Sequence, residues 1–186
     1  TNFDVPNFET LQAACLKLGF AVVEETARGA HYVTEEYRKI VQSKKNKVII
    51  TTACPAAVDF VRLNYPKAIK YLVPVCTPMI AHAEILKQDY GKDMHVVFVG
   101  PCVAKKKEAV EARTLDCALS YEELLNWLKE ENIELTPVPD SGISYDKSRY
   151  YPIHRGIIKS FGQIDNTYDL MSVDGVEEIK GVMENI

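Results

Sequence analysis

The chain has 186 residues, a formal net charge of −4, 47% hydrophobic residues and 26% charged residues. This length suits one domain, or two small lobes that share a core, and the composition is typical of a soluble globular protein. The slightly acidic balance gives no electrostatic basis for nucleic-acid binding, and no apolar run approaches the roughly 18–20 residues that cross a bilayer. We therefore expect neither a nucleic acid nor a membrane as a partner.

Helical and strand patterns alternate along the chain. Amphipathic patterns predict helices at 8–18, 34–42, 55–64, 79–89, 105–113, 121–131 and 176–186, with Thr34 and Ser120 near the caps of two of them. Short apolar runs predict strands at 20–25, 48–50, 96–99 and 116–119. This alternation favours an α/β fold with a largely parallel sheet and flanking helices. A long loop is predicted at 137–152, and long ordered loops are often functional.

The five cysteines are widely and irregularly spaced, at Cys15, Cys54, Cys76, Cys102 and Cys117. A secreted disulfide scaffold would be shorter and denser in cysteine, so we expect reduced or metal-bound thiols in the cytoplasm. Cys15 lies on a helical apolar stripe and Cys117 in a predicted strand, which favours core packing for both. For Cys76 packing is also favoured over a place in a crevice. The chain begins with Thr1 rather than Met, and we expect it to be part of a longer protein.

Two stretches of sequence repeat one arrangement, in which a buried strand leads through a cysteine beside a proline into a helix. They are Thr51–Pro55, after the apolar run 48–50, and Val99–Glu108, after the run 96–98. The carboxyl ends of strands in an open α/β sheet border the crevice where ligands bind. We therefore expect Cys54 and Cys102 to face one crevice as half of an iron–sulfur ligand set, since such clusters are held by cysteine thiolates. The alternative is that both are buried structural thiols.

These two stretches resemble the catalytic large-subunit domain of the iron-only (FeFe) hydrogenases. That family carries a Thr-Ser-Cys-Cys-Pro motif and, later, Met-Pro-Cys-x-x-Lys-Lys-x-Glu-Ala. The matching residues here are Thr51–Pro55 and Gly100–Ala109, and shorter matches follow in order along the chain, at Leu16–Phe20, Asn64–Pro66, Thr77–Pro78 and Asp174–Val176. The resemblance implies a hydrogenase-like α/β domain over 1–186 whose C-terminal part is missing.

The resemblance also implies a cofactor. Cys54 and Cys102 would each give one thiolate to a 4Fe–4S cluster in the full-length protein, and two more cysteines would come from a later segment beside a di-iron centre. None of the remaining cysteines forms a Cys-x-x-Cys-like pair, so we expect no intact cluster in this chain alone. The residues implied to lie against the cofactor are Lys105, Pro101, Ala53 and Thr77. An ammonium such as that of Lys105 supplies three hydrogen-bond donors to electron-rich ligands.

Several positions depart from the active members of that family. Ala53 stands where active members have the cysteine that relays protons, and a methyl group cannot carry a proton. Lys39 and Val73 stand at two further relay positions, and Gly100 replaces a methionine, which leaves more room beside the cofactor. No catalytic residue is therefore assigned. This pattern resembles the sensory subgroup, whose domain is fused to ferredoxin-like and PAS or other signalling domains in the same chain.

Three functions remain open from the sequence. The first is regulatory H2 or redox sensing by an iron–sulfur and di-iron cofactor in the full-length protein. The second is a catalytically active iron hydrogenase with a rerouted proton path. The third is a cofactor-free α/β interaction module that has kept only the scaffold.

Overall fold

The structure is a computed structural model that describes residues 5–142, 146–162 and 168–186. Its α-helices are α1 (Phe8–Lys17), α2 (Ala27–Ser43), α3 (Pro55–Asn64), α4 (Pro78–Tyr90), α5 (Ala104–Ala112), α6 (Tyr121–Glu130), α7 (Gly156–Phe161) and α8 (Gly175–Met183). Its strands are β1 (Val97–Val99) and β2 (Cys117–Leu119), and 3-10 helices cover Pro66–Tyr71 and Asp146–Tyr150. Within the described residues, no helix is both long and apolar enough to cross a membrane.

The chain divides into two compact units. The first unit comprises Thr1–Thr26 and Ala83–Ser144, and the second comprises Ala27–His82 and Tyr145–Ile186. Each unit has a hydrophobic core of its own, so each is described separately.

The first unit combines a parallel strand pair with helices. β1 and β2 pair in parallel, with Val97 opposite Cys117 and Val99 opposite Leu119. Helices α1 and α6 contribute the core residues Ala14, Cys15, Leu124 and Leu128. The predicted α/β class with a parallel sheet and flanking helices is confirmed, and the sheet found among the described residues is small.

The second unit packs α2, α7 and the segment around Val73 into a core. Its buried members are Val33, Tyr37, Val73 and Phe161. A single parallel bridge joins Ile50 to Leu72, so the strand predicted at 48–50 is reduced to one pairing residue.

Local sequence signals explain two of the helix starts. Ser120 caps α6 in a capping box, because its side chain accepts from the Glu123 amide while the Glu123 carboxylate accepts from the Ser120 amide. Pro55 is the first residue of α3, where its missing N–H leaves no helical hydrogen bond unmade.

Two predictions of local structure are wrong. Helix α2 begins at Ala27, so Thr34 lies inside it, where its hydroxyl donates to the Ala30 carbonyl at 2.9 Å. Gly29 hid this start because glycine disfavours a helix. The structure requires glycine at this position, since a Cβ on residue 29 would lie 2.2 Å from the Pro78 carbonyl oxygen.

The other wrong prediction is the strand at 20–25. No regular element forms there; the Val23 carbonyl instead accepts a hydrogen bond from the Gln12 side chain at 2.8 Å. Phe20 and Val23 still pack against the first core. Their apolar character reflects burial of an irregular segment, which a short pattern cannot distinguish from a strand.

The predicted long loop at 137–152 is irregular in its first part. Residues 137–142 carry no helix or strand, and Val138 is tied to α1 because its carbonyl accepts from Asn7 Nδ2 at 2.7 Å and its amide donates to Thr10 Oγ1 at 3.1 Å. Residues 143–145 lie outside the described residues, and the 3-10 helix follows them.

Candidate functional site

Cys54 lies at the start of a helix in the second unit. It is the N-cap residue of α3, with extended backbone angles of φ −105° and ψ 108°, and its thiol is exposed. Its carbonyl already accepts the first helical hydrogen bond, from the Val58 amide at 3.1 Å. An exposed thiol in this position is accessible to a metal, which disfavours the alternative of a buried structural thiol for Cys54.

Buried hydroxyl groups fix the segment that carries Cys54. The Tyr37 side chain is 1% exposed, and its oxygen accepts from the Thr52 amide at 2.9 Å and also from the Ala53 amide. Thr52 Oγ1 in turn donates to the Val75 carbonyl at 2.6 Å. Burial raises the pKa of the Tyr37 phenol, and the hydrogen bonds from Thr52 and Ala53 oppose that rise. We call Tyr37 and Thr52 the hydroxyl clamp.

The hydroxyl clamp joins the Cys54 segment to a second one, which carries Cys76 and Thr77. Cys76 is exposed in an irregular segment just before α4, so the favoured packing role is wrong. Thr77 is 4% exposed, and its Oγ1 is the buried side-chain oxygen left without a hydrogen-bond partner among the described residues. Its implied contact with a cofactor remains a prediction.

Cys102 lies in the first unit, directly after β1. Gly100 continues the strand pairing through its amide, which donates to the Leu119 carbonyl at 3.0 Å, and Pro101 and Cys102 are exposed. The Cys102 carbonyl accepts from the Lys105 amide at 3.1 Å, which places both residues in one turn. Cys102 is therefore another accessible thiol at a strand end.

Lys105 is held within that turn. Its ammonium donates to Glu108 Oε2 at 2.7 Å, and both side chains are 12% exposed. Lys105 is thus mostly buried and ion-paired, unlike an ordinary solvated surface lysine. Its neighbour Lys106 reaches the Glu123 carboxylate, with 2.6 Å to each of the two carboxylate oxygens.

The position of Gly100 differs from expectation. A Cβ at this residue would lie 2.6 Å from Cζ of Phe98, so the ring fills the room that the missing side chain was expected to leave. The expectation of extra space beside a cofactor is wrong at this point of the backbone.

Cys117 is also exposed, although it does lie in the predicted strand. It is the first residue of β2, at the outer end of a sheet with two strands among the described residues, so a buried side chain was the wrong prediction. Desolvation raises the pKa of its thiol, and the carboxylates of Asp116 and Glu123 add to that rise. Cys15, by contrast, is 5% exposed and confirms its predicted core role.

Three residues stand at the family's proton-relay positions, and none of them carries a thiol or a hydroxyl: Ala53, Val73 and Lys39. Ala53 is partly buried within the hydroxyl clamp, and Val73 is 6% exposed in the second core. Lys39 is exposed and pairs with Glu36 at 2.5 Å, which agrees with a surface role for that glutamate. Sequence reasoning missed Tyr37, whose hydroxyl on an apolar helix face with Val33 and Ile40 was the available signal.

The comparison with known families is decisive for the fold. The model of the family described as "Iron only hydrogenase large subunit, C-terminal domain" matches residues 4–186. The chain belongs to this family. Iron-only hydrogenase relatives were expected from the two cysteine motifs, and the match over nearly the whole chain confirms that resemblance. A sensory subgroup is not distinguished by it.

Curated relatives of this hydrogenase-family chain include a hydrogenase and two assembly proteins. The periplasmic Fe hydrogenase large subunit of Nitratidesulfovibrio vulgaris is 24% identical over 210 residues, covering 94% of this chain and 50% of that protein. The cytosolic Fe-S cluster assembly factor NAR1 of Yarrowia lipolytica is 26% identical over 154 residues, covering 72% and 30%. Cytosolic iron-sulfur assembly component 3 of Rattus norvegicus is 24% identical, covering 75% and 36%. The chain thus spans half or less of the length of the curated relatives it matches.

Solved structures share the fold. A structure reported for stepwise FeFe-hydrogenase H-cluster assembly is 24% identical and covers 72% of this chain and 38% of its own, with a TM-score of 0.57. The apo FeFe-hydrogenase HydA1 from Chlamydomonas reinhardtii is 23% identical, covers 72% and 39%, and has a TM-score of 0.57. At this identity the likeness establishes a common fold for the hydrogenase-family chain.

Cys54 and Cys102 of this hydrogenase-family chain have the chemistry of iron–sulfur ligands, but they supply only two of the four thiolates that a 4Fe–4S cluster needs. Both thiols are accessible and precede helices, as cluster ligands must be reachable. In the part of the chain that the structure describes, no three histidine, cysteine, aspartate or glutamate residues are grouped so that they could hold a metal ion. A complete ligand set therefore requires further thiolates, and the roles of Cys54 and Cys102 stay a prediction.

Proposed function

We propose that the chain belongs to a regulatory domain that senses H2 or redox state through an iron–sulfur and di-iron cofactor in the full-length protein. One observation carries this proposal: the accessible thiol of Cys54 is kept, while its neighbour is Ala53, whose methyl group cannot pass a proton. A domain that holds the cofactor but lacks rapid proton delivery is suited to report on the cofactor's state.

The chain's own residues have distinct roles in this proposal. Cys54 and Cys102 would hold a 4Fe–4S cluster, which supplies a one-electron redox centre when bound. Lys105 would direct its ammonium at electron-rich ligands from a mostly buried position, with Glu108 orienting it. Pro101, Ala53 and Thr77 would border the cofactor, and the unsatisfied Thr77 hydroxyl supports a polar ligand there. Tyr37 and Thr52 would keep the Cys54 backbone in place.

The proposed setting is a longer cytoplasmic protein in which this domain adjoins ferredoxin-like and PAS or other signalling domains. A ferredoxin-like domain would exchange electrons with the cluster, and a signalling domain would read its state. The chain's coverage of half or less of its relatives supports a larger whole.

The test uses the full-length protein after anaerobic maturation. Electron paramagnetic resonance should show a cluster signal that is lost in Cys54→Ser and in Cys102→Ser. The matched control is Cys117→Ser, which removes another exposed thiol and should keep the signal. A signal that persists in both variants would overturn the ligand assignment and favour the cofactor-free interaction module.

H2 evolution with a strong chemical reductant separates sensing from turnover. Slow turnover that rises in Ala53→Cys is expected, since the new thiol restores a proton carrier beside Cys54. Turnover as fast as that of ordinary hydrogenases, with no response to Ala53→Cys, would instead show an active enzyme with another proton path.

The two assembly-protein relatives favour a second candidate, a role in building iron–sulfur clusters, because their identity of 26% and 24% equals or exceeds that of the hydrogenase. In that case the cluster-loaded protein should pass its cluster to an apo-ferredoxin in the absence of signalling domains. Retention of the cluster during such an incubation supports the sensing proposal.

A further inference from the structure

We propose that Cys54 and Cys76 form a redox-active dithiol, in which Cys76 closes a disulfide onto Cys54 under oxidising conditions. This pairing is a property of the chain without its cofactor. Only its consequence, that oxidation removes Cys54 as a cluster ligand, rests on the function proposed above.

The two cysteines lie at the same end of paired segments. Ile50 and Leu72 are partners in a parallel bridge, with the Ile50 amide donating to the Tyr71 carbonyl at 2.8 Å. Cys54 is four residues beyond Ile50 and Cys76 is four residues beyond Leu72. Beyond the bridge the ladder does not continue, because the Thr52 amide donates to the Tyr37 oxygen and the Val75 amide donates to the Val73 carbonyl of its own segment at 2.8 Å. The proximity of the two cysteines therefore rests on side-chain hydrogen bonds between the segments.

The hydroxyl clamp keeps the two segments together beyond that bridge. Thr52 Oγ1 donates to the carbonyl of Val75, the residue before Cys76, at 2.6 Å. The Tyr37 oxygen accepts from the amide of Ala53, the residue before Cys54, and a thiolate at Cys76 would raise the pKa of the phenol. The Tyr37 and Thr52 hydroxyls thus connect the two cysteine-bearing segments.

The other thiols are not arranged in this way. Cys15 is buried among core residues of the first unit. Cys117 faces Val97 at the start of the strand pair, whereas Cys102 follows its end, so these two lie at opposite ends of β1 and β2. Cys54 and Cys76 are thus the two accessible cysteines of the second unit, and their segments are joined by the bridge and the hydroxyl clamp.

The chemistry is that of peroxide-driven disulfide formation. Hydrogen peroxide oxidises one thiol to a sulfenic acid and is reduced to water; the second thiol attacks that sulfur, forms the S–S bond and releases a second water. Together the two thiols lose two electrons and two protons, and one peroxide yields two waters. A nearby second thiol captures the sulfenic acid before it is oxidised further.

The experiment treats the cluster-free, full-length protein with hydrogen peroxide, alkylates the remaining thiols and digests with trypsin. Cys54 falls in the peptide 48–62 and Cys76 in the peptide 71–87, with Cys102 and Cys117 in other peptides. The expected main product is the peptide 48–62 joined to 71–87, two hydrogen atoms lighter than the sum of the two. Separate alkylation or separate over-oxidation of these peptides, or a link from Cys54 to another cysteine, would overturn the proposal.

Two variants sharpen the result. In Cys76→Ser the cross-link should vanish and Cys54 should accumulate as a sulfenic acid that dimedone traps, while Cys117→Ser should leave the cross-link intact. Both substitutions replace an exposed side chain, and circular dichroism checks that the fold is retained. Absence of trapped sulfenic acid at Cys54 in the Cys76→Ser protein would also count against the pairing.

The cluster-loaded protein separates this proposal from the functional one. If Cys54 ligates the cluster, loading should suppress the cross-link until the cluster is lost. A cross-link that forms equally with and without the cluster would contradict ligation by Cys54 and leave the dithiol supported.

Discussion

At the scale of single residues, three hydroxyl groups near the candidate site are used differently. Tyr37 and Thr52 are fully engaged, since together they accept from two backbone amides and donate to a neighbouring carbonyl. Thr77, a few residues away in sequence from the Val75 carbonyl, buries its hydroxyl without a partner among the described residues. The contrast allows the hydroxyl clamp and the proposed cofactor contact of Thr77 to be tested with one kind of substitution.

Thr77→Val is expected to raise the free energy of unfolding of the cluster-free protein by about 1 kcal/mol, because it removes a buried hydroxyl that makes no hydrogen bond. Urea denaturation measures this change. In the cluster-loaded full-length protein the same variant should weaken cofactor retention, if the hydroxyl contacts the cofactor.

Thr52→Val is the matched comparison. It should lower the free energy of unfolding by about 1 kcal/mol or more, because the Val75 carbonyl loses the hydrogen bond from Thr52 Oγ1 and the Tyr37 hydroxyl loses one of its partners. Equal destabilisation in both variants would show that the Thr77 hydroxyl has a partner after all.

Single residues also show how far pattern reasoning reaches. The core role of Cys15 follows from a helical stripe, because a regular helix repeats its buried face. Cys76 and Cys117 were misplaced because one lies outside any regular element and the other at a strand start, where periodicity carries no information about burial. The hydroxyl clamp joins positions distant in sequence, and no local pattern encodes it.

At the scale of secondary structure, local capping signals were the most predictable features. The cap predicted near Ser120 is present, and it forms a capping box with Glu123 three residues later. The start of α2 was missed because Gly29 disfavours a helix by its local preference. The glycine is needed there for a tertiary reason, since a side chain would collide with Pro78 and His82. Strands were overestimated for a similar reason, since buried irregular segments are as apolar as strands.

The first turn of α6 carries a pH-dependent contribution to stability. Lys106 hydrogen-bonds the Glu123 carboxylate, the Ser120 amide adds a second bond, and together they lower the pKa of Glu123 from 4.5 to about 2. Because the folded pKa lies below the unfolded one, this stabilisation is present above pH 4.5 and is lost as the pH falls towards 2.

Glu123→Gln should therefore flatten the fall of the urea midpoint across that pH range, since glutamine can keep the capping bond but cannot titrate. Glu122→Gln changes an exposed glutamate in the same turn and serves as the control. An unchanged pH profile in Glu123→Gln would show that the ion pair with Lys106 contributes nothing to stability.

At the scale of the whole molecule, the fold class and the family were predictable, because the two cysteine motifs and their order extend through most of the chain. The division into two compact units with separate cores was not predictable in detail, since it depends on which distant helices pack together. The first core pairs α1 with α6, and the second pairs α2 with α7.

The first core offers a direct test of this assignment. Leu124 is 0% exposed, so Leu124→Ala should lower the free energy of unfolding by about 2–5 kcal/mol through the cavity it leaves. Trp127 is the chain's one tryptophan and contacts Phe20 in the same unit, so its fluorescence reports unfolding there. Val110→Ala, at a position that is 79% exposed in the same unit, should change stability by less than about 0.5 kcal/mol. A small effect of Leu124→Ala would contradict the packing of α1 on α6.

The close approach of the Phe98 ring to Gly100 also has an evolutionary consequence. A side chain at position 100 and the present ring at position 98 compete for the same space, since a Cβ would lie 2.6 Å from the ring. A larger residue at position 100 therefore requires the Phe98 ring to move aside, whereas shrinking Phe98 first opens a hole beside the strand, so substitutions at these two positions are coupled and their order matters. In proteins related to this chain, a larger residue at position 100 should therefore be accompanied by a smaller or displaced side chain at position 98.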